Sequence, residues 1–283
     1  MFKTLAISVL TACLSALTPA LAATPEAVEQ NPSAWRAVNP EDLIWMSTTK
    51  GDIFIEIAPD VSPAHAAQIR LILREHLYDG TVFHRVINGF MAQGGDISKI
   101  RGADPGLPSL KGEFTFRRDP AATPIRALED SEEPNGVYAG FHNGFPFFSK
   151  SIAQADYSTD RRVESWMPHC AGVTSMARTN DPDSAVDQFF LMRDEGDFLN
   201  RNYTPWGRII KGLDIVRALN VGEPPAQPDV LVKARLASDI PAGERPRAWV
   251  AADDSAMMKT LVSDNAGKNI CDVGSVPAMV DIP

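Results

Sequence analysis

Phe83-His84-Arg85-Val86-Ile87-Asn88-Gly89-Phe90-Met91-Ala92-Gln93-Gly94-Gly95-Asp96 is the stretch on which the reading of this chain turns. It divides into two short strand-like runs, Val82 to Ile87 and Phe90 to Gln93, the second broken by Gly94-Gly95-Asp96. One cation, Arg85, lies on the first run. Around it are apolar Phe90 and Met91, an uncharged donor and acceptor in Gln93, and a glycine pair that permits close backbone approach. Taken alone, such a segment is also compatible with a core strand whose arginine pairs with a carboxylate.

Upstream, Ile53, Ile55 and Ile57 alternate with period two and predict a strand with one apolar face, entered by the turn Thr49 to Asp52. Ser62-Pro63 has the form of an N-cap with proline at the first helical position. Ile69, Ile72, Leu73 and Leu77 then recur at helical spacing until Gly80, which predicts a helix from Pro63 to about His76. Downstream, short strands are predicted at Glu113–Arg117, Ala171–Ala177, Gln188–Met192 and Trp206–Ile210, with a second helix at Leu213–Leu219. Many short strands with two helices predict a mainly β protein, a closed or nearly closed barrel with helices at its ends. Residues 43–237 form this unit. Residues 119–166, which include the aromatic run Phe141 to Phe148, read as a long loop insertion, most simply packed on the barrel and otherwise a partner site. Residues 23–42 read as a flexible lead-in, and 238–283 as a C-terminal extension of weak periodicity.

The N-terminus carries a targeting pattern: Lys3, an apolar run from Leu5 to Leu17, and the small-x-small site Ala20-Leu21-Ala22. Residues 1–22 are therefore expected to be a signal peptide, delivering the mature chain to the periplasm with no membrane attachment. A lipoprotein box at Leu10 to Cys13, lipidating Cys13, is the minor alternative. The formal charge of the 283-residue chain is -9, and no basic stripe is present, which argues against nucleic acid as a partner. Five scattered histidines, with no CxxC and no HExxH, imply no metal site and no cofactor. Cys170 and Cys271 remain in the mature chain. In an oxidising compartment they are expected to form a disulfide that ties down the extension; two unrelated thiols are the other reading.

The segment quoted first strongly resembles the most characteristic run of the cyclophilins. Two further blocks are similar to that family in family order: Ser175 to Met192 (SMARTNDPDSAVDQFFLM) and Phe198 to Val216 (FLNRNYTPWGRIIKGLDIV). The resemblance covers roughly residues 45–236 and resembles the bacterial branch. It implies a closed eight-stranded antiparallel barrel with a helix at each end, and cis/trans isomerisation of X-Pro bonds in exported proteins during their folding. Residue by residue, it puts the family's catalytic arginine on Arg85 and the glutamine near the substrate carbonyl on Gln93. The proline pocket falls on Phe90, Met91, Phe190 and Leu199, a second pocket-side glutamine on Gln188, and the peptide-pairing backbone on Ala177, Arg178 and Thr179. The rim departs from the best-known eukaryotic members: Phe198 stands in place of tryptophan and Tyr203 in place of histidine. Proline-containing polypeptides are the implied clients, and a monomer is expected. The competing reading is a catalytically weak peptide-binding or chaperone module on the same fold.

Overall fold

The computed structural model describes residues 25–133 and 136–283; the expected signal peptide, with Cys13, lies outside the described residues. The isoleucine alternation builds the centre of the main sheet. In the strand Gly51–Ile57, Ile53, Ile55 and Ile57 are buried against Ile44 and Met46 of Leu43–Thr48. The eight strands run in the order Leu231–Leu236, Leu43–Thr48, Gly51–Ile57, Pro205–Lys211, Val173–Met176, Phe189–Met192, Met91–Gly94 and Arg85–Ile87, each antiparallel to its neighbour.

The sheet curls into a half-barrel and does not close, which corrects the closed barrel expected from the sequence. The run expected from Val82 to Ile87 is regular only over Arg85–Ile87. That strand is too short to build a ladder to the other edge; among the described residues, the bridges Val82–Val230 and Val86–Gly222 and the bond from Gly80 N–H to Leu231 O link that side to residues following the second helix. The expected helices are present as Pro63–Arg74 and Leu213–Ala218. Ser62 does not cap the first of them by its side chain; its Oγ donates to Pro205 O at 2.8 Å. Glu113 takes over the task. Its carboxylate accepts from the Ala64 and His65 N–H groups, at 3.2 and 3.1 Å, where the helix dipole favours negative charge.

The strand Gly51–Ile57 also buries its other face, with Phe54 and Glu56 at 0% and 3% exposure. The cover is a second layer. Residues 119–166 are not a long loop: they supply most of a five-stranded antiparallel sheet ordered Phe116–Arg118, Val163–Trp166, Phe145–Lys150, Val137–His142 and Arg126–Glu133. Its central hairpin turns at Asn143-Gly144, both at positive φ (51° and 77°), the backbone that Asn-Gly adopts readily between two apolar strands. Phe141, Phe145 and Phe147 are buried with Phe54 and Val250; burying one such side chain contributes about 1.5–3 kcal/mol.

The lead-in is structured from Pro25 onward, as a helix at Pro25–Gln30 and a strand at Trp35–Ala37. That strand pairs with Arg247–Ala251, which pairs with Ala278–Asp281. The C-terminal extension thus contributes two strands and the helix Ala256–Ser263. Ion pairs join the layers. Glu56 binds Arg36 of the N-terminal strand at 2.7 Å and buried Arg208 of the main sheet at 3.1 Å, and Arg36 also donates to Asn143 O. Cys170 and Cys271 are joined in a disulfide with Cα atoms 4.8 Å apart.

Candidate active site

Two strands and a tight turn present the first functional groups. Arg85–Ile87 pairs with Met91–Gly94 in the register Arg85 with Gln93 and Ile87 with Met91. The next strand sets Phe190 opposite Gln93 and Met192 opposite Met91. Side chains alternate across a sheet, so Val86, Ala92, Phe189 and Leu191 enter the inner core. Arg85, Met91, Gln93 and Phe190 share the outer face, and Met91 and Phe190 belong to the core shared with the second layer.

On that face lies a cavity of about 260 Å³ lined by Arg85, Phe90, Met91, Gln93, Ala177, Arg178, Phe190, Phe198, Leu199 and Tyr203. Ten of the twelve residues expected at the site therefore line one hollow. The other two, Thr179 and Gln188, line a neighbouring cavity of about 250 Å³, which shares Gln93, Ala177 and Arg178 with the first. Gln93 Nε2 donates to Gln188 Oε1 at 2.8 Å across the junction.

The walls are held by aromatic contacts. Phe90 packs on Phe198 with ring centroids 5.3 Å apart, and Phe190 meets the edge of Tyr203 at 5.8 Å. Leu199 is buried, whereas Phe198 is 70% exposed on the rim. The Arg178 guanidinium lies 4.4 Å from the centre of the Tyr203 ring and donates to Asn202 and to Thr179 O. Behind Phe190, the stacked ring of His169 has its nitrogens 3.1 Å from Asn200 Oδ1 and from Ser175 Oγ. Burial pushes this imidazole down to about 4, against a smaller upward pull from Asn200. Burial also lowers His84, beside Gln188, and raises the Asp187 carboxyl.

Residues 43–236 match the family model described as cyclophilin type peptidyl-prolyl cis-trans isomerase/CLD. The chain belongs to the cyclophilin family. A probable peptidyl-prolyl cis-trans isomerase of Brucella abortus (strain 2308) is 33% identical over 208 residues, covering 72% of this chain and 86% of that one. Peptidyl-prolyl cis-trans isomerase B of Escherichia coli (strain K12) is 28% identical over 182 residues, covering 62% and 81%. Among solved structures, the cyclophilin AquaCyp293 from Hirschia baltica superposes with a TM-score of 0.89 at 49% identity, covering 92% of this chain and 98% of that chain. At that coverage its likeness extends beyond residues 43–236.

Within this cyclophilin, the sequence reading missed two residues that shape the site. Glu223 accepts from Arg85 Nε at 2.7 Å. Its local sequence, Gly222-Glu223-Pro224-Pro225, signals only a turn; the pairing across to Arg85 is not periodic in any way a strand pattern could reveal. His169 leaves no mark in the sequence, since a lone histidine beside a cysteine carries no spacing signal. Among the described residues no group of three or more His, Cys, Asp or Glu side chains is placed to hold a metal ion.

Proposed function

We propose that this cyclophilin accelerates X-Pro rotation in exported polypeptides, with Arg85 as the group that stabilises the twisted amide. The observation that carries the reading is the convergence of Arg85 with Phe90, Met91, Phe190 and Leu199 around one cavity of about 260 Å³, large enough to admit a prolyl ring. Rotation about a peptide C–N bond meets a barrier of about 18–20 kcal/mol because amide resonance is lost. No covalent bond forms or breaks, so the reaction needs neither a nucleophile nor a general acid. At the twisted geometry the prolyl nitrogen becomes pyramidal and exposes a lone pair. An N–H of Arg85 aimed at that nitrogen binds the twisted form more tightly than the planar one, and this difference is what lowers the barrier.

A hydrogen bond to a charged group is worth roughly 1.5–3 kcal/mol net, and each 1.36 kcal/mol is tenfold in rate. Arg85 then supplies about ten- to a few-hundredfold. The remainder falls to the apolar walls, which grip the ring out of water, and to a preorganised hold on the chain on either side. Gln93 is within reach of the substrate carbonyl, and the backbone of Ala177, Arg178 and Thr179 offers pairing groups to the peptide.

The compartment we infer is the periplasm, reached through a signal peptide over residues 1–22, with an unanchored monomeric product. The apolar run before Ala22 and the Cys170–Cys271 disulfide support an oxidising destination. The test is a protease-coupled isomerase assay on an X-Pro peptide with purified residues 23–283. Acceleration over the uncatalysed rate is expected, and a rate equal to it contradicts the proposal. Cell fractionation with N-terminal sequencing tests the export reading: a periplasmic chain beginning at Ala23 is expected, and an intact cytoplasmic chain beginning at Met1 contradicts it.

A further inference from the structure

Arg85 reaches the cavity from a three-residue edge strand with its side chain 40% exposed. A long side chain so placed samples many rotamers unless a partner selects one. Gln93, which faces Arg85 across the strand pair, is engaged with Gln188 instead. The hydrogen bond Arg85 makes among the described side chains goes to Glu223, with Nε to Oε2 at 2.7 Å.

The segment that carries Glu223 is built to stay where it is. Gly222 and Val86 exchange both backbone hydrogen bonds, at 2.8 and 2.9 Å, so Glu223 follows directly on a residue clamped to the arginine strand. A Cβ on Gly222 would stand 2.4 Å from Pro225 Cα, so the turn admits no side chain there. Pro224 and Pro225 come next and restrict the backbone further. The base of the loop is closed by Asn220, whose N–H donates to Asp229 Oδ2 at 2.7 Å and whose Nδ2 donates to Gln227 O at 2.9 Å. A surface carboxylate that met Arg85 by chance would not need this scaffold.

The contact also uses the right part of the guanidinium. Glu223 occupies the Nε–H and leaves the terminal N–H groups free to donate elsewhere. We propose that Glu223 is the positioning residue of the active site: it fixes the plane of the Arg85 guanidinium so that a terminal N–H points at the prolyl nitrogen as the bond twists. Glu223 touches no reacting atom. Its effect is to remove, before substrate arrives, the rotamer freedom Arg85 would otherwise lose in the transition state. This inference rests on the isomerase reading of the site.

The experiment compares Glu223→Ala and Glu223→Gln with the unaltered protein in steady-state isomerase kinetics, alone and in an Arg85→Lys background. Glu223→Ala is expected to lower kcat by about tenfold with KM changed by less than about twofold, because the loss is confined to the transition state. Glu223→Gln keeps an acceptor for Nε–H and recovers most of the rate. Lysine has no Nε–H, so in the Arg85→Lys protein Glu223→Ala costs nothing further. An unchanged or raised kcat in Glu223→Ala overturns the inference, as does an equal fractional loss in both backgrounds. A readout independent of turnover is the Arg85 Nε–H resonance. It is expected to be sharp and slow to exchange in the unaltered protein and to be lost in Glu223→Ala. If the unaltered protein is inactive while this resonance behaves as described, the isomerase reading has failed and the ion pair has not; a resonance indifferent to the substitution removes Glu223 from any role at Arg85.

Discussion

The two faces of the strand Gly51–Ile57 are both buried, but against different parts of the chain. Inward, Ile53, Ile55 and Ile57 meet side chains of the neighbouring strands and the long helix. Outward, Phe54 shares a core with Phe141, Phe145 and Val250, and Glu56 pairs with Arg36 and Arg208, so that face draws on the N-terminal strand, the 119–166 segment and the C-terminal extension. The inner face is assembled largely within the isomerase unit, and the outer face largely from additions to it. Period-two alternation reports the first and is blind to the second, because a residue facing away from one core can face into another. The difference teaches that this half-barrel is a two-layered protein whose second layer shares a core with the floor of the candidate site: Met91, Phe190, Met192 and Leu199 belong to the same core as Phe141 and Val250.

The sharpest way to break the comparison is at Glu56, where the layers are tied by charge. Glu56→Gln removes the carboxylate that pairs with both Arg36 and buried Arg208, leaving Asp253 to oppose the Arg208 charge. Breaking a buried pair from one side costs about 3–5 kcal/mol, and the urea midpoint is expected to fall accordingly. An unchanged midpoint would mean that the outer layer merely rests on the sheet. The disulfide is the covalent tie, joining cysteines 101 positions apart in the sequence. Replacing both with serine is expected to lower stability by about 2–4 kcal/mol, read by the same titration. Protection of amide protons should be lost first in the strand Ala278–Asp281, and uniform loss across the main sheet would argue against a separable layer.

Smaller in size is an effect of pH at the seam between the layers. His169 precedes Cys170 and stacks on Phe190. With its folded value near 4 and the unfolded value near 6.5, the unfolded chain binds a proton first as pH falls. The contribution of neutral His169 to stability is therefore whole above about pH 6.5 and is lost progressively towards pH 4. Linkage puts the loss between pH 7.5 and pH 5 at about 2 kcal/mol. Stability curves measured across that range, compared with those of His169→Asn, check it; the same slope in both proteins would assign the acid sensitivity to other groups.

How far the sequence could be read follows the same division. Arg85, Gln93 and the apolar pocket residues were legible because they lie in three unbroken blocks whose internal spacing the strands preserve. The main helices were legible from their apolar spacing, although the cap came from Glu113, far from Ser62 in sequence. The half-open sheet was not legible, since closure depends on whether a three-residue strand finds a ladder partner. The five-stranded sheet is only partly legible: Asn143-Gly144 between apolar runs is a strong hairpin signal. Its prolines and its length favoured the loop reading, and Pro146 is tolerated within the hairpin. Glu223 was invisible for a different reason: its partner is brought to it by the single bridge between Gly222 and Val86.

The central claim is that catalysis resides in Arg85 and its pocket. The measurement that tests it most directly is kcat/KM of Arg85→Ala against the unaltered protein in the protease-coupled assay, with the urea midpoint recorded for both. A fall of at least about tenfold with an unchanged midpoint is predicted from the lone hydrogen bond to the twisted amide. A near-normal rate in a folded Arg85→Ala protein would remove Arg85 from the mechanism and contradict the account.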